Sequence, residues 1–339
     1  MPGQEIRFCT VRGSAVAYEI VGEGPPLVAT AWWVSHLELD RLDAGFRRFW
    51  ESVGAGHTLL RYDRPGVGMS DRDIDVASLT LEDEVAVLTA LLDQLGLERV
   101  ALLGGSSGGC AAIAFASRFP ERVTRLALYG AYAHGPAIAP AAVRRAVVDA
   151  VRAHWGLGSR VLADIFLGES GDGDQERFAR FQRAATSAET AAALLELVYR
   201  NDVRGELAAV RAPTLVVHRR EDRAIPYALG RELAAGIPGA VLSPVEGRAH
   251  FPWVGDLGSV VRALRAESAG DPERADSPLS AREQEVLGLV AKGLSDQEIA
   301  ARLIVSPHTV HRHMANIRTK LGSGSRAAAV AEAARIGLL

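Results

Sequence analysis

From Ala15 to about Val261 the chain alternates short, β-branched apolar runs with amphipathic stretches, and this rhythm restricts its architecture more than any other property. The strand candidates are Ala15–Val21, Leu27–Ala31, His57–Asp63, Val100–Leu103, Val123–Tyr129, Thr214–His218 and Ala240–Pro244. Several are apolar throughout, as parallel strands covered on both faces must be. Leu81–Leu95 follows Thr80, whose hydroxyl suits an N-cap, and has helical spacing. Strand–helix alternation predicts a doubly wound α/β sheet. The rhythm stops between about Gly135 and Val210. There Pro140–Trp155, Arg160–Leu167, Glu176–Thr186 and Ala188–Arg200 read as successive helices, an insertion expected to cap one end of the sheet. Ala266–Pro278 is small, polar and aperiodic, which marks a linker. The expected division is a first domain over 1–265, with its cap at about 135–210, a linker over 266–278 and a small all-α domain over 279–339.

With 339 residues, 48% of them hydrophobic, the chain is long enough for one large core and a second, smaller one. Net charge is −3, but Leu279–Leu339 holds eight Lys/Arg against five Asp/Glu, together with His308, His311 and His313. That excess supports nucleic-acid contact only alongside a motif. Cys9 and Cys110 give no disulfide framework and no cysteine-rich metal site. The first residues lack a basic start followed by an apolar run, so no secretory signal is expected. Ala101–Ser117, the nearest approach to a membrane span, is broken by four glycines and two serines in its first half. These features predict a cytoplasmic protein with no membrane partner.

Four helices can be placed in the tail from their start signals. Ser280 with Glu283 and Ser295 with Glu298 are capping boxes, Ser306 precedes Pro307 at a first helical position, and Ser325 opens a last helix to Ile336. Gly293 and Gly322 fall where helices stop. In the third helix Val310, Met314, Ile317 and Leu321 form one apolar stripe. Thr309, Arg312, His313, Asn316 and Lys320, flanked by His308 and His311, make a polar, cationic front suited to base edges and phosphates in a major groove. The segment resembles the LuxR-type helix-turn-helix over nearly all of Leu279–Leu339. The matching elements are Leu279-Ser280-Ala281-Arg282-Glu283, Gly293, Glu298-Ile299-Ala300 and Ser306-Pro307-His308-Thr309-Val310. His311 departs from the pattern, standing where a lysine is usual. The resemblance implies a homodimer on a two-fold site in double-stranded DNA, with the last helix at the dimer contact.

In the first domain, Gly104-Gly105-Ser106-Ser107-Gly108 follows an apolar strand and precedes the helix Cys110–Phe119. Gly-x-Ser-x-Gly in that setting is a sharp strand-to-helix turn that exposes the serine hydroxyl and leaves no room for neighbouring side chains. Such a serine needs a base, and the base an orienting acid. Asp222 lies in a loop after the strand Thr214–His218, with Glu221 as the second choice of acid, and His250 lies in a loop after Ala240–Pro244. Together with the turn Tyr62-Asp63-Arg64-Pro65-Gly66-Val67-Gly68-Met69-Ser70, these loops resemble the α/β-hydrolase family over about Glu5–Val261. The resemblance implies Ser106 as nucleophile, His250 as base, Asp222 as acid and a helical cap. It also implies an oxyanion hole from the backbone N–H groups of Trp33 and Ser107. Ala31-Trp32-Trp33 departs from the family's usual His-Gly-x there, and two indoles narrow the site.

Trp33, Trp155, Phe166 and Trp253 are candidates for an apolar ligand pocket or for ordinary core. His36, His57, His134 and His154 have no ligand-like spacing, so no metal and no cofactor are expected. His218 reads as packing, and Arg219-Arg220 as a solvated loop. The reading is a LuxR-type regulator whose hydrolase-like domain binds a small apolar ester- or lactone-like ligand. Three versions stay open: hydrolysis of that ligand through the triad, an inactive receptor, and an esterase or lactonase for which DNA binding is secondary.

Overall fold

The computed structural model describes residues 5–75, 79–168, 172–266, 279, 281–303 and 306–335. They fall into two compact units, Met1–Arg265 and Ala266–Leu339.

The first unit is built on an eight-stranded sheet. Its strands are β1 (Arg7–Val11), β2 (Ser14–Val21), β3 (Pro26–Ala29), β4 (Thr58–Tyr62), β5 (Val100–Gly105), β6 (Val123–Tyr129), β7 (Thr214–Arg219) and β8 (Val241–Val245). They lie in the order β1-β2-β4-β3-β5-β6-β7-β8. β1 and β2 run antiparallel to their neighbours, and β3 through β8 are parallel. β1 escapes the sequence pattern because it is an edge strand with three exposed residues among five, so no apolar run advertises it.

Helices cover both faces, as parallel strands demand. α1 (Ala44–Val53) and α9 (Leu257–Ala266) pack on one face around Leu27, Phe49, Tyr129, Leu215 and Val260. α2 (Leu81–Gln94), α3 (Gly108–Arg118) and α8 (Tyr227–Gly236) cover the other around Val28, Leu88, Ile113, Leu126 and Leu233. Thr80 and Asp83 close a reciprocal capping box at the start of α2. α3 is made of Gly, Ala and Cys along its first turns and is buried on every side as far as Ala116. The chain leaves β3 for β4 on one side and returns to β5 on the other. The sheet order therefore reverses between β3 and β5, and a crevice opens at their carboxyl ends. Over that end lie the cap helices α4 (Ala141–Ala153), α5 (Trp155–Leu167), α6 (Asp172–Ala185) and α7 (Ala188–Arg200).

The second unit has its own core of Val286, Leu287, Ile299, Val310, Met314, Ile317, Ala329 and Ala333. These residues come from α10 (Ala281–Ala291), α11 (Asp296–Leu303), α12 (Pro307–Lys320) and α13 (Arg326–Arg335). Ser295 and Glu298 form the expected capping box, and the Ser306 hydroxyl accepts from the Thr309 N–H. Ser280, the linker residues beyond 266 and Ile336 lie outside the described residues.

Candidate functional site

Ser106 sits between β5 and α3 with φ +52, a left-handed backbone that a non-glycine residue adopts only under constraint. Its N–H donates to the Tyr129 carbonyl at the end of β6 (2.9 Å). The neighbouring glycines leave no alternative. A Cβ on Gly105 would fall 2.0 Å from the Trp32 ring, and one on Gly108 would fall 2.6 Å from the Ala31 carbonyl oxygen. The Ser107 hydroxyl donates to the Trp32 carbonyl (3.0 Å), which ties the turn to the loop after β3.

Asp222 and His250 leave the carboxyl ends of β7 and β8, adjacent parallel strands. His250 Nδ1 lies 2.8 Å from Asp222 Oδ2. Asp222 Oδ1 accepts from the N–H groups of Ala224 (2.9 Å) and Ile225 (3.1 Å), which fixes the carboxylate's other oxygen. A Cβ on Gly130, at the end of β6, would come within 3.1 Å of His250 Cε1 and 3.4 Å of Asp222 Oδ2. Glu221, by contrast, is exposed and faces Arg248 at 3.6 Å. His250 donates its backbone N–H to the Phe166 carbonyl of α5 (2.7 Å), and the Phe166 ring lies 5.7 Å from the imidazole. His218 is fully buried, its Nε2 against the Ile225 carbonyl (2.9 Å), and burial holds its pKa below the usual range.

The loop after β3 is braced from beneath. Asp63 accepts from Ser35 Oγ and from the N–H groups of Leu37 and Met69. Arg64, paired with Glu84, donates to the carbonyls of Ala31 and Trp32. The two indoles part company here. Trp32 stacks on Tyr129 and Trp253 on the α1 side. Trp33 points toward the cap, with its N–H donated to Gln182 Oε1 (3.0 Å).

A cavity of about 710 Å³ opens between this loop, α1, α6 and the loop after β8. Its walls include Trp32, Phe46, Phe178, Phe181, Phe251 and Trp253, with Arg48, Arg177 and Arg180 among its polar residues. Of the four aromatics singled out in the sequence, Trp253 lines it. Trp33, Trp155 and Phe166 are not among its walls: Trp155 donates to the Thr186 carbonyl inside the cap, and Phe166 packs on Trp33 and His250. Trp32, Phe46, Phe178, Phe181 and Phe251 line it without having been read as pocket candidates from the sequence. An aromatic's direction depends on backbone path, and nothing local encodes it.

Asp40 also lines this cavity, and burial pushes its carboxyl from 3.8 up to about 8, against the pull of Arg61. One further reading needs correction. Arg219 was expected in a solvated loop with Arg220, yet it is 1% exposed, because it folds back under the loop that carries His250.

In the second unit, His308, His311, Arg312 and Asn316 are exposed along α12, while Thr309 and His313 are half-buried. Lys320 departs from the expected front. Its ammonium lies 2.6 Å from Glu283, a buried carboxylate of α10, so it braces the bundle. Asp296 of α11 pairs with Arg326 and lies 3.9 Å from His311. Among the described residues no helix is long and apolar enough to cross a membrane.

The fold and this geometry define a doubly wound hydrolase-type domain joined to a helix-turn-helix domain. The family described as alpha/beta hydrolase fold matches residues 44–256, and the bacterial regulatory proteins of the luxR family match residues 277–333. The chain belongs to the α/β-hydrolase fold family and carries a LuxR-type DNA-binding domain at its C-terminal end. It is 31% identical over 246 residues to a 2-hydroxy-6-oxononadienedioate/2-hydroxy-6-oxononatrienedioate hydrolase of Cupriavidus pinatubonensis, covering 68% of this chain and 78% of that one. A hydrolase from Pseudomonas aeruginosa PA01 superposes with a TM-score of 0.67 at 25% identity, over 77% of this chain and 97% of that one. The enol-lactonase from Burkholderia xenovorans LB400 shares the fold, with a TM-score of 0.60 at 23% identity over 80% and 98% of the two chains.

Two predictions follow from packing and charge. Gly105→Ala forces the Trp32 ring aside and should cost about 1–3 kcal/mol, read from urea unfolding. Between the two pKa values of Asp40, folded protein holds a proton that the unfolded chain releases. Its contribution favours folding fully at low pH and is lost as pH rises from about 4 to about 8. Asp40→Asn should therefore lose less stability than wild type between about pH 5 and about pH 8 in urea titrations.

Proposed function

We propose that the protein is a LuxR-type transcriptional regulator whose hydrolase domain binds and hydrolyses a small ester- or lactone-like ligand through Ser106, His250 and Asp222. The observation that carries this is the 2.8 Å contact between His250 Nδ1 and Asp222 Oδ2, together with a left-handed turn that holds Ser106 at the carboxyl end of β5 in the same parallel sheet. With Nδ1–H donated to Asp222, His250 presents Nε2 as the proton acceptor. Ser106 Oγ attacks the ligand's carbonyl carbon as its proton passes to His250. The backbone N–H groups of Trp33 and Ser107 receive the oxyanion, aided by the positive end of α3. Collapse expels the alcohol, which takes the proton from His250, and water then hydrolyses the acyl-enzyme by the same relay.

The cavity beside Trp32 and Trp253, whose walls do not include Ser106 or His250, takes the non-reacting end of the ligand. Aromatic walls suit an apolar acyl or ring portion, and Arg48, Arg177 and Arg180 favour a polar or anionic end. A dimer then changes how it presents its two α12 helices to a two-fold site in DNA. That requires the ligand to prefer one arrangement, since equal affinity shifts nothing. The chain works in the cytoplasm, where its DNA is. A receptor that binds without turnover is the second reading, favoured by Trp32 and Trp33 standing in the oxyanion loop.

A fluorophosphonate probe should label the wild-type protein, and Ser106→Ala should abolish both labelling and hydrolysis of short-chain esters and lactones. A wild-type protein that stays unlabelled while still binding a ligand selects the receptor reading. In fluorescence anisotropy on promoter fragments, Arg312→Ala should cost about 1–3 kcal/mol of DNA binding and lower the salt slope by about 1. Lys320→Ala should leave that slope as it is and lower the bundle's thermal stability, because its charge is already engaged by Glu283.

A further inference from the structure

We propose that Arg219 is a positioning residue for His250, holding the loop that carries the base in register with Asp222. This rests on the triad reading above and adds to it a member that neither touches substrate nor moves a proton. Arg219 is the last residue of β7, three positions before Asp222, and its side chain turns away from its own loop. Nη1 donates to the Ala249 carbonyl (2.7 Å), and Nη2 to the carbonyls of Val254 (2.6 Å) and Pro252 (3.4 Å). The residue immediately before His250 and two residues shortly after it are thus bound to one rigid, planar group. The stem is gripped as well: a Cβ on Gly247 would lie 3.3 Å from Arg219 Cδ.

The energetics favour this assignment over simple filling of space. A guanidinium 1% exposed has given up its hydration, and among the described residues no carboxylate pairs with it. Its compensation comes from carbonyl oxygens that the His250 loop turns inward, while Nε stays without a partner. Burying a cation on these terms is costly, and an apolar side chain would fill the volume more cheaply. What the guanidinium supplies is a fork of donors in fixed geometry, which neither lysine nor methionine reproduces. From the opposite side, α5 holds the His250 N–H through the Phe166 carbonyl. The main chain at the base is therefore clamped on both flanks. Relaxing one clamp lets the imidazole drift from a contact whose length sets its tautomer and direction.

The test uses the full-length protein with Arg219→Met, which keeps the stem, and Arg219→Lys, which keeps the charge. Three quantities are read: the fluorophosphonate labelling rate, kcat and KM on p-nitrophenyl butyrate, and the downfield proton resonance of His250 Nδ1–H, assigned by its loss in His250→Gln. Arg219→Met should lower labelling and kcat about tenfold or more with KM within about twofold, and should broaden or shift the resonance; Arg219→Lys should fall between. A folded Arg219→Met protein with wild-type kcat, labelling and resonance overturns the proposal. If Arg219→Met does not fold by circular dichroism, Arg219→Lys decides, with wild-type values again overturning it. A wild-type protein that neither labels nor hydrolyses sinks the enzyme reading instead. The resonance in the Arg219 variants then decides the positioning role alone.

Discussion

The left-handed backbone at Ser106 is the constraint around which the carboxyl end of the sheet is organised. A side chain in that conformation costs on the order of 1–2 kcal/mol, so the surrounding structure must over-determine it. It does so with the Tyr129 carbonyl holding the Ser106 N–H, the Trp32 indole lying over Gly105, and the Ala31 carbonyl pressed against Gly108. The first contact comes from the end of β6 and the other two from the loop after β3, so the turn exists only once β3, β5 and β6 are in register. The reversal of strand order between β3 and β5 opens a crevice at the same end of the sheet. Asp63 and Arg64 brace the loop that brings Trp32 into place.

Much of this was legible in the sequence, for a physical reason. Ser106, Asp222 and His250 each follow a strand legible from local pattern, whereas choosing that aspartate and that histidine to answer the serine rested on the resemblance of their loops to the α/β-hydrolase family. β1 was not legible, since an edge strand with three of its five residues exposed shows no apolar run. Nor was the divergence of Trp32 and Trp33, which depends on how one loop crosses the top of β3. Arg219 was misread because charge ordinarily marks surface. The carbonyls that receive it lie 30 to 35 positions further along the chain, out of reach of any local reading.

The helical tail teaches the same lesson on a smaller scale. The apolar stripe of α12 was visible from spacing, and Val310, Met314 and Ile317 are buried as that spacing requires. Which cations on the opposite side remain available was not visible. Arg312 and Lys320 look alike on a helical wheel and both are exposed, but Lys320 is paired with a buried glutamate of α10.

The bond between the His250 N–H and the Phe166 carbonyl gives the cap a role beyond that of a cover. That carbonyl belongs to the last turn of α5, where a helix has oxygens left over for outside donors. Any displacement of the end of α5 therefore pulls on the backbone of His250. Cap helix and imidazole thus share one mechanical linkage, in which a shift of the first is felt directly by the second.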